Sequence, residues 1–178
     1  MKAIVCARYA PPEQLQLRDV PVPVPKDRQV LVRVQATSVN DYDWSMVTGR
    51  PRIYRLFFGL FRPQRPIPGM ELAGVVEAIG RDVTQWRVGD QVYGDTSNGG
   101  LGTLAEFVAV PETELRLMPA GLSFVAAAAI PHALELAYQA LVQIGKLQQD
   151  ERVLLNGGGG GVGTFALQLA KQHGCAVW

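Results

Sequence analysis

With 178 residues, 48% of them apolar and 19% charged, the chain can bury a core and make one or two domains. Its 17 basic and 16 acidic side chains nearly cancel, so no global field gathers nucleic acid or an anionic membrane, and partners must be recognised locally. The most apolar stretch, residues 124–144, is broken by Pro131, His132, Glu135, Gln139 and Gln143, and Arg8 and Pro11-Pro12 follow the N-terminus too early for a signal peptide. Cys6 and Cys175 have no partner at disulfide or metal spacing, which predicts a cytoplasmic protein with no membrane partner.

In chain order, β-type runs are predicted at Lys2 to Ala7, Leu15 to Val20, Gln29 to Thr37, Glu71 to Ile79 and Leu104 to Val110, the spacing of a compact β domain. Pro21, Pro23 and Pro25 each remove a backbone donor, so that segment is an extended edge or connector. After Pro119 the texture turns helical, with Ser123 as an N-cap, Pro131 ending or kinking a first helix, and good helix formers from Ala133 to Leu141. Arg152 to Asn156 reads as a buried parallel strand. Val162, Phe165, Ala166, Leu169 and Ala170 then repeat at helical spacing up to a stop at Gly174, and Cys175 to Trp178 begins another strand.

Between that strand and helix, Gly158, Gly160 and Gly163 stand at the G-x-G-x-x-G spacing. In a run of glycines the spacing alone means little; after an apolar strand and before an amphipathic helix it is the dinucleotide fingerprint. A pyrophosphate needs unhindered N–H donors at a helix N-terminus, where the helix dipole also favours anions. The cradle is assigned to Gly158, Gly160, Gly161, Val162 and Gly163, with Val162 anchoring the first turn in the core. The residue that would separate NADH from NADPH is expected about 20 residues on, where the sequence ends.

The block Asn156 to Lys171 (NGGGGGVGTFALQLAK) resembles that of the medium-chain dehydrogenase/reductase superfamily. So do Pro68 to Val76 (PGMELAGVV), Val88 to Gly94 (VGDQVYG), Gly102 to Phe107, Ala129 to Pro131 and Ala137 to Leu141, in the right order. The resemblance implies α/β plus β architecture: a GroES-like catalytic domain over residues 1–122 and, over 123–178, the N-terminal part of a Rossmann NAD(P)-binding domain. It also implies that the chain stops inside that second domain and so will not transfer hydride by itself. Within the superfamily it points to the zinc-free, quinone oxidoreductase-like branch, with NADPH or NADH as cofactor, a homodimer as the assembly, and no role for nucleic acid.

The zinc-dependent relatives carry ligands where this sequence has Asn40 and Met70, neither of which is a usual Zn²⁺ ligand. Without a Lewis acid, hydride addition to an electron-poor quinone or α,β-unsaturated carbonyl is easier than alcohol oxidation. The resemblance places Asn40 and Asp43 at the N-x-x-D motif beside the nicotinamide, as the candidate catalytic pair; the plainer role of Asn40 or Asp41 is to cap a short helix. Leu136 stands where many relatives have Thr. His132 reads as structural and His173 as a helix-end residue.

Residues 49–68 interleave Arg50, Arg52, Arg55, Arg62 and Arg65 with Tyr54, Phe57, Phe58 and Phe61. This segment is a wall of the substrate cleft, a plain surface loop, or an interaction patch for nucleic acid or a membrane surface. Two other functions share the fold: a zinc-independent alcohol or carbonyl oxidoreductase, and a non-catalytic nucleotide- or RNA-binding protein.

Overall fold

The computed structural model describes all 178 residues, in two compact units, Met1–Ala129 and Ile130–Trp178. In the first, strand β1 (Lys2–Val5) pairs antiparallel with β2 (Gln16–Asp19), and residues 20–28 then run on without regular structure through the three prolines. An antiparallel five-stranded sheet follows, from β3 (Gln29–Thr37), β4 (Glu71–Ile79), β5 (Gln91–Asp95), β6 (Phe107–Pro111) and β7 (Leu115–Leu117), in the spatial order β6-β3-β4-β5-β7. Helix α1 (Asp41–Thr48) and the short α2 (Arg55–Phe58) lie between β3 and β4.

The core is a β-branched and leucine cluster in which Val32 pairs with Val76 on one side and Val108 on the other. Val30, Leu72, Val92, Val110 and Leu115, all nearly inaccessible, complete it with Val83. β3 and β4 have the bounds expected, because a strand buried in the middle of a sheet carries the densest run of β-formers. β5 and β7 were not expected as strands. Gly94 disguises β5, and the structure explains the glycine: a Cβ there would lie 3.1 Å from the carbonyl carbon of Glu114, where the chain enters β7. β6 begins only at Phe107, since Ala105 instead bridges to Ala3.

Helix α3 (Phe124–Ala128) is capped by Ser123, whose hydroxyl accepts from the Ala126 N–H at 3.2 Å, and its buried Ala127 and Ala128 pack on Ala73 and Met118. In the second unit α4 (Pro131–Tyr138) opens on Pro131 and continues as a wider helical turn over 139–144. Strands β8 (Arg152–Val153) and β9 (Ala176–Val177) pair in parallel around helix α5 (Gly161–Gln172). Gly174, at φ 76°, ends α5 in the left-handed conformation that helix termini favour. The expected buried strand over 152–156 is corrected: only two of its residues are strand, and Leu154 is 82% exposed. A two-stranded sheet offers that side chain nothing to pack against.

Candidate active site and cofactor turn

The end of β3, the start of α1 and the start of β4 converge on one buried carboxylate. Glu71 is 2% accessible, and it accepts from the Asn40 side-chain amide at 2.7 Å and from the Ser38 hydroxyl. Its backbone carbonyl accepts from Thr37 Oγ1 at 2.6 Å, and Thr37 in turn meets the buried Thr103 hydroxyl at 3.0 Å. A carboxylate can leave water only with such donors around it, so these residues act as one unit.

Asn40 caps α1, and Asp43 completes the box. Asp43 Oδ2 accepts from the Asn40 N–H at 2.8 Å, and Oδ1 accepts from the Gly69 N–H at 3.1 Å. The buried Asp43 thus ties α1 to the Pro68-Gly69 turn that launches β4. Gly69 is at φ 100°, and a Cβ on it would lie 2.6 Å from the Leu104 nitrogen. The structure brings both predicted residues of the N-x-x-D motif into one network. Glu71, Ser38, Thr37 and Thr103 were missed, although a charged residue inside the apolar run Met70 to Val76 is the kind of signal that marks a satisfied buried group.

Met70 is fully buried with Met46 and Leu101 in an apolar cluster against Tyr42 and Phe58. Beside it opens a cavity of about 260 Å³ lined by Tyr42, Phe57 and Phe58 on one side and Arg65, Ser97 and Asn98 on another. Tyr42 and Phe58 meet edge to face at 5.2 Å between ring centres. Burial, and then the Asp95 carboxylate, raise the Tyr42 hydroxyl above its ordinary pKa. Below β5, Glu114 is pushed up to about 7 by burial and by Asp95, with Arg65 opposing, and its Oε2 has no hydrogen-bond partner.

In the second unit the glycine turn runs into α5, with Gly160 as its N-cap. The Gly160 N–H closes the turn onto the Gly157 carbonyl at 3.0 Å, and the first helical bond is Thr164 N–H to Gly160 O at 2.9 Å. The amides of Gly161, Val162 and Gly163 therefore lie at the helix N-terminus with no backbone acceptor of their own. A Cβ on Gly163 would lie 2.7 Å from Gly158 Cα, whereas Gly159 faces open space. Three open amides over a turn without side chains have the chemistry of an anion cradle. The expectation that Val162 anchors in the core is corrected: it is 37% exposed, because the two-residue strands end short of this first turn. His173 lies at the other end of α5, its Nδ1 2.9 Å from the Leu169 carbonyl oxygen.

Residues 26–120 match the alcohol dehydrogenase GroES-like domain. The chain belongs to the medium-chain dehydrogenase/reductase superfamily, in its quinone oxidoreductase-like branch. Over 179 residues it is 38% identical to the 2-methylene-furan-3-one reductase of Solanum lycopersicum, covering 97% of this chain and 44% of that protein. It is 35% identical to the chloroplastic NADPH-dependent alkenal/one oxidoreductase of Arabidopsis thaliana, covering 97% of this chain and 45% of the relative. Among solved structures, the quinone oxidoreductase from Coxiella burnetii superposes with a TM-score of 0.89 at 34% identity, over 99% of this chain and 55% of that one. The chain spans about half the length of these relatives.

Proposed function

We propose that the protein is a nicotinamide-dependent reductase that delivers hydride to a quinone or an α,β-unsaturated carbonyl without zinc. The observation that carries this reading is the start of α5, where the open amides of Gly161, Val162 and Gly163 face a side-chain-free turn in a chain of the quinone oxidoreductase-like branch. A dinucleotide pyrophosphate fits that chemistry: anions gain from unpaired N–H groups and from the helix dipole together. Bound there, NADPH or NADH would supply the hydride from its nicotinamide ring.

In this reading the cavity beside Tyr42, Phe57 and Phe58 takes the flat, apolar acceptor. Asn40 and Asp43 serve as positioning residues: their polar atoms are committed to Glu71, to the α1 terminus and to Gly69, and hold that wall in register. Donor chemistry supports the zinc-free reading, since Met70 is packed among apolar side chains and neither its thioether nor the Asn40 side-chain amide is a usual zinc ligand.

The test, on the full-length protein, follows nicotinamide absorbance: oxidation of NADPH and NADH by a small quinone and a small enone, and reduction of NADP⁺ by a simple alcohol. Turnover with quinone or enone that survives a metal chelator is expected. Alcohol oxidation abolished by the chelator would assign a metal enzyme instead. Tight binding of single-stranded RNA with no turnover on any acceptor would assign a binding protein.

A further inference from the structure

The near-neutral charge of the whole chain conceals one strongly biased segment. From Trp44 to Met70 there is no acidic residue, but there are Arg50, Arg52, Arg55, Arg62 and Arg65. Arg65 lies close enough to Glu114 to oppose the rise in its pKa, while none of the other four forms an ion pair. Arg55 is held internally, stacked 4.6 Å over the Tyr9 ring and donating to the Gly49 carbonyl at 3.1 Å, while Arg50, Arg52 and Arg62 are exposed.

The same segment carries apolar side chains that folding leaves in water. Ile53 is 61%, Leu56 67%, Phe57 73%, Leu60 56% and Phe61 87% exposed, all within nine residues. Scattered exposed leucines mean little, but a contiguous cluster is costly in water and marks a surface that something covers. The segment is nevertheless well anchored. Phe58 packs edge to face on Tyr42 and Tyr54, and the Tyr9 hydroxyl donates to the Gly59 carbonyl at 2.5 Å. A firmly held loop thus displays apolar side chains among the unpaired guanidinium groups of Arg50, Arg52 and Arg62.

We infer that residues 50–65 form a docking surface for an anionic lipid bilayer, with Leu56, Leu60 and Phe61 entering the interfacial region and Arg50, Arg52 and Arg62 meeting lipid phosphates. The charge sign selects this occupant: a segment with no acidic residue of its own, carrying the exposed Arg50, Arg52 and Arg62 beside its apolar side chains, is repelled by basic surfaces and attracted to phosphate-rich ones. Arginine suits the boundary, since its stem lies along apolar surface while its head reaches phosphate bidentately. Exposed phenylalanine and leucine supply the apolar part of interfacial binding. No helix of the chain is long and apolar enough to cross a membrane; the patch itself would lie in the interface plane. It stands apart from the reductase reading and would hold if that reading failed.

The experiment is co-sedimentation of the protein with vesicles of phosphatidylcholine alone and of phosphatidylcholine mixed with phosphatidylglycerol, at low and high salt. Binding to the mixed vesicles, weakened by salt, is expected, with little on the neutral ones. L56S/F61S alters two exposed residues outside the cavity lining, so the fold should survive, which circular dichroism checks; it should lower the partition coefficient about tenfold or more. Each of R50A, R52A and R62A should lower it roughly fivefold. Failure to bind the mixed vesicles would overturn the inference, as would binding indifferent to L56S/F61S. Single-stranded oligonucleotide bound as tightly, with the same dependence on these residues, would assign the patch to nucleic acid. A change from dimer to monomer in L56S/F61S without vesicles would assign it to self-association.

Discussion

The side-chain amide of Asn40 donates to the buried carboxylate of Glu71 at 2.7 Å, joining the N-cap of α1 to the first residue of β4. The pair fixes two elements with one bond. Replacing Asn40 with Ala would leave Glu71 short of a donor in a site closed to water. A loss of about 1–3 kcal/mol is expected by urea denaturation. Asp41→Ala, at an exposed neighbour, should stay within about 0.5 kcal/mol. Equal stability of N40A and wild type would mean that the Asn40–Glu71 bond contributes nothing.

Glu114 predicts a pH dependence of stability. Its folded pKa is raised from 4.5 to about 7, chiefly by burial, so between those values the folded state holds a proton that the unfolded state has released. The stabilisation is complete below 4.5 and is lost as pH rises through about 7. Glu114→Gln cannot ionise. Its stability relative to wild type should therefore increase from about pH 5 to about pH 8 in thermal unfolding series. A constant difference between the two proteins across that range would show that Glu114 ionises normally.

Glu112 makes the opposite prediction. It accepts from Arg28 at 2.9 Å and from the Thr84 N–H at 3.2 Å, and these bonds, the Arg28 side chain first, hold its carboxyl below the ordinary value of 4.5. Its contribution is present above 4.5 and is lost as pH falls through the depressed folded value. Glu112→Gln should lower the unfolding temperature more than Asp27→Asn, which breaks the exposed pair with Arg81. The gap between E112Q and wild type should close in acid. A gap that persists there would assign the loss to packing.

The elements most legible in the sequence were those whose burial is two-sided. β3 and β4 have their expected bounds because dense Val, Ile and Leu runs occur where a strand sits inside a sheet. The Ser123 cap was visible because capping is a local interaction. β5 and β7 were hidden because Gly94 answers to a close approach from Glu114, which no local pattern records. The glycine turn was legible from spacing and context, but Val162 was misjudged, since its burial depends on neighbouring strands rather than on helical period. At the candidate site, Asn40 and Asp43 were found through the motif, whereas Ser38, Thr37 and Thr103 were not. Their partners are 33, 34 and 66 positions away in the chain, and long-range hydrogen bonds leave no periodicity to read.

The central claim is that the start of α5 holds the pyrophosphate of a nicotinamide dinucleotide, and Gly161→Asp tests it most directly. A Cβ at Gly161 meets only Ala133 Cβ, at 3.7 Å, and an acidic residue in a first helical turn favours the helix, so the variant should fold. Its carboxylate would compete with phosphate for the open amides and repel it. Calorimetric titration with NADPH and NADH, on full-length wild type and on full-length G161D shown by circular dichroism to be folded, should give binding to wild type and affinity about tenfold or more weaker for the variant. Unchanged affinity in a folded G161D protein would contradict the assignment of this turn to the cofactor.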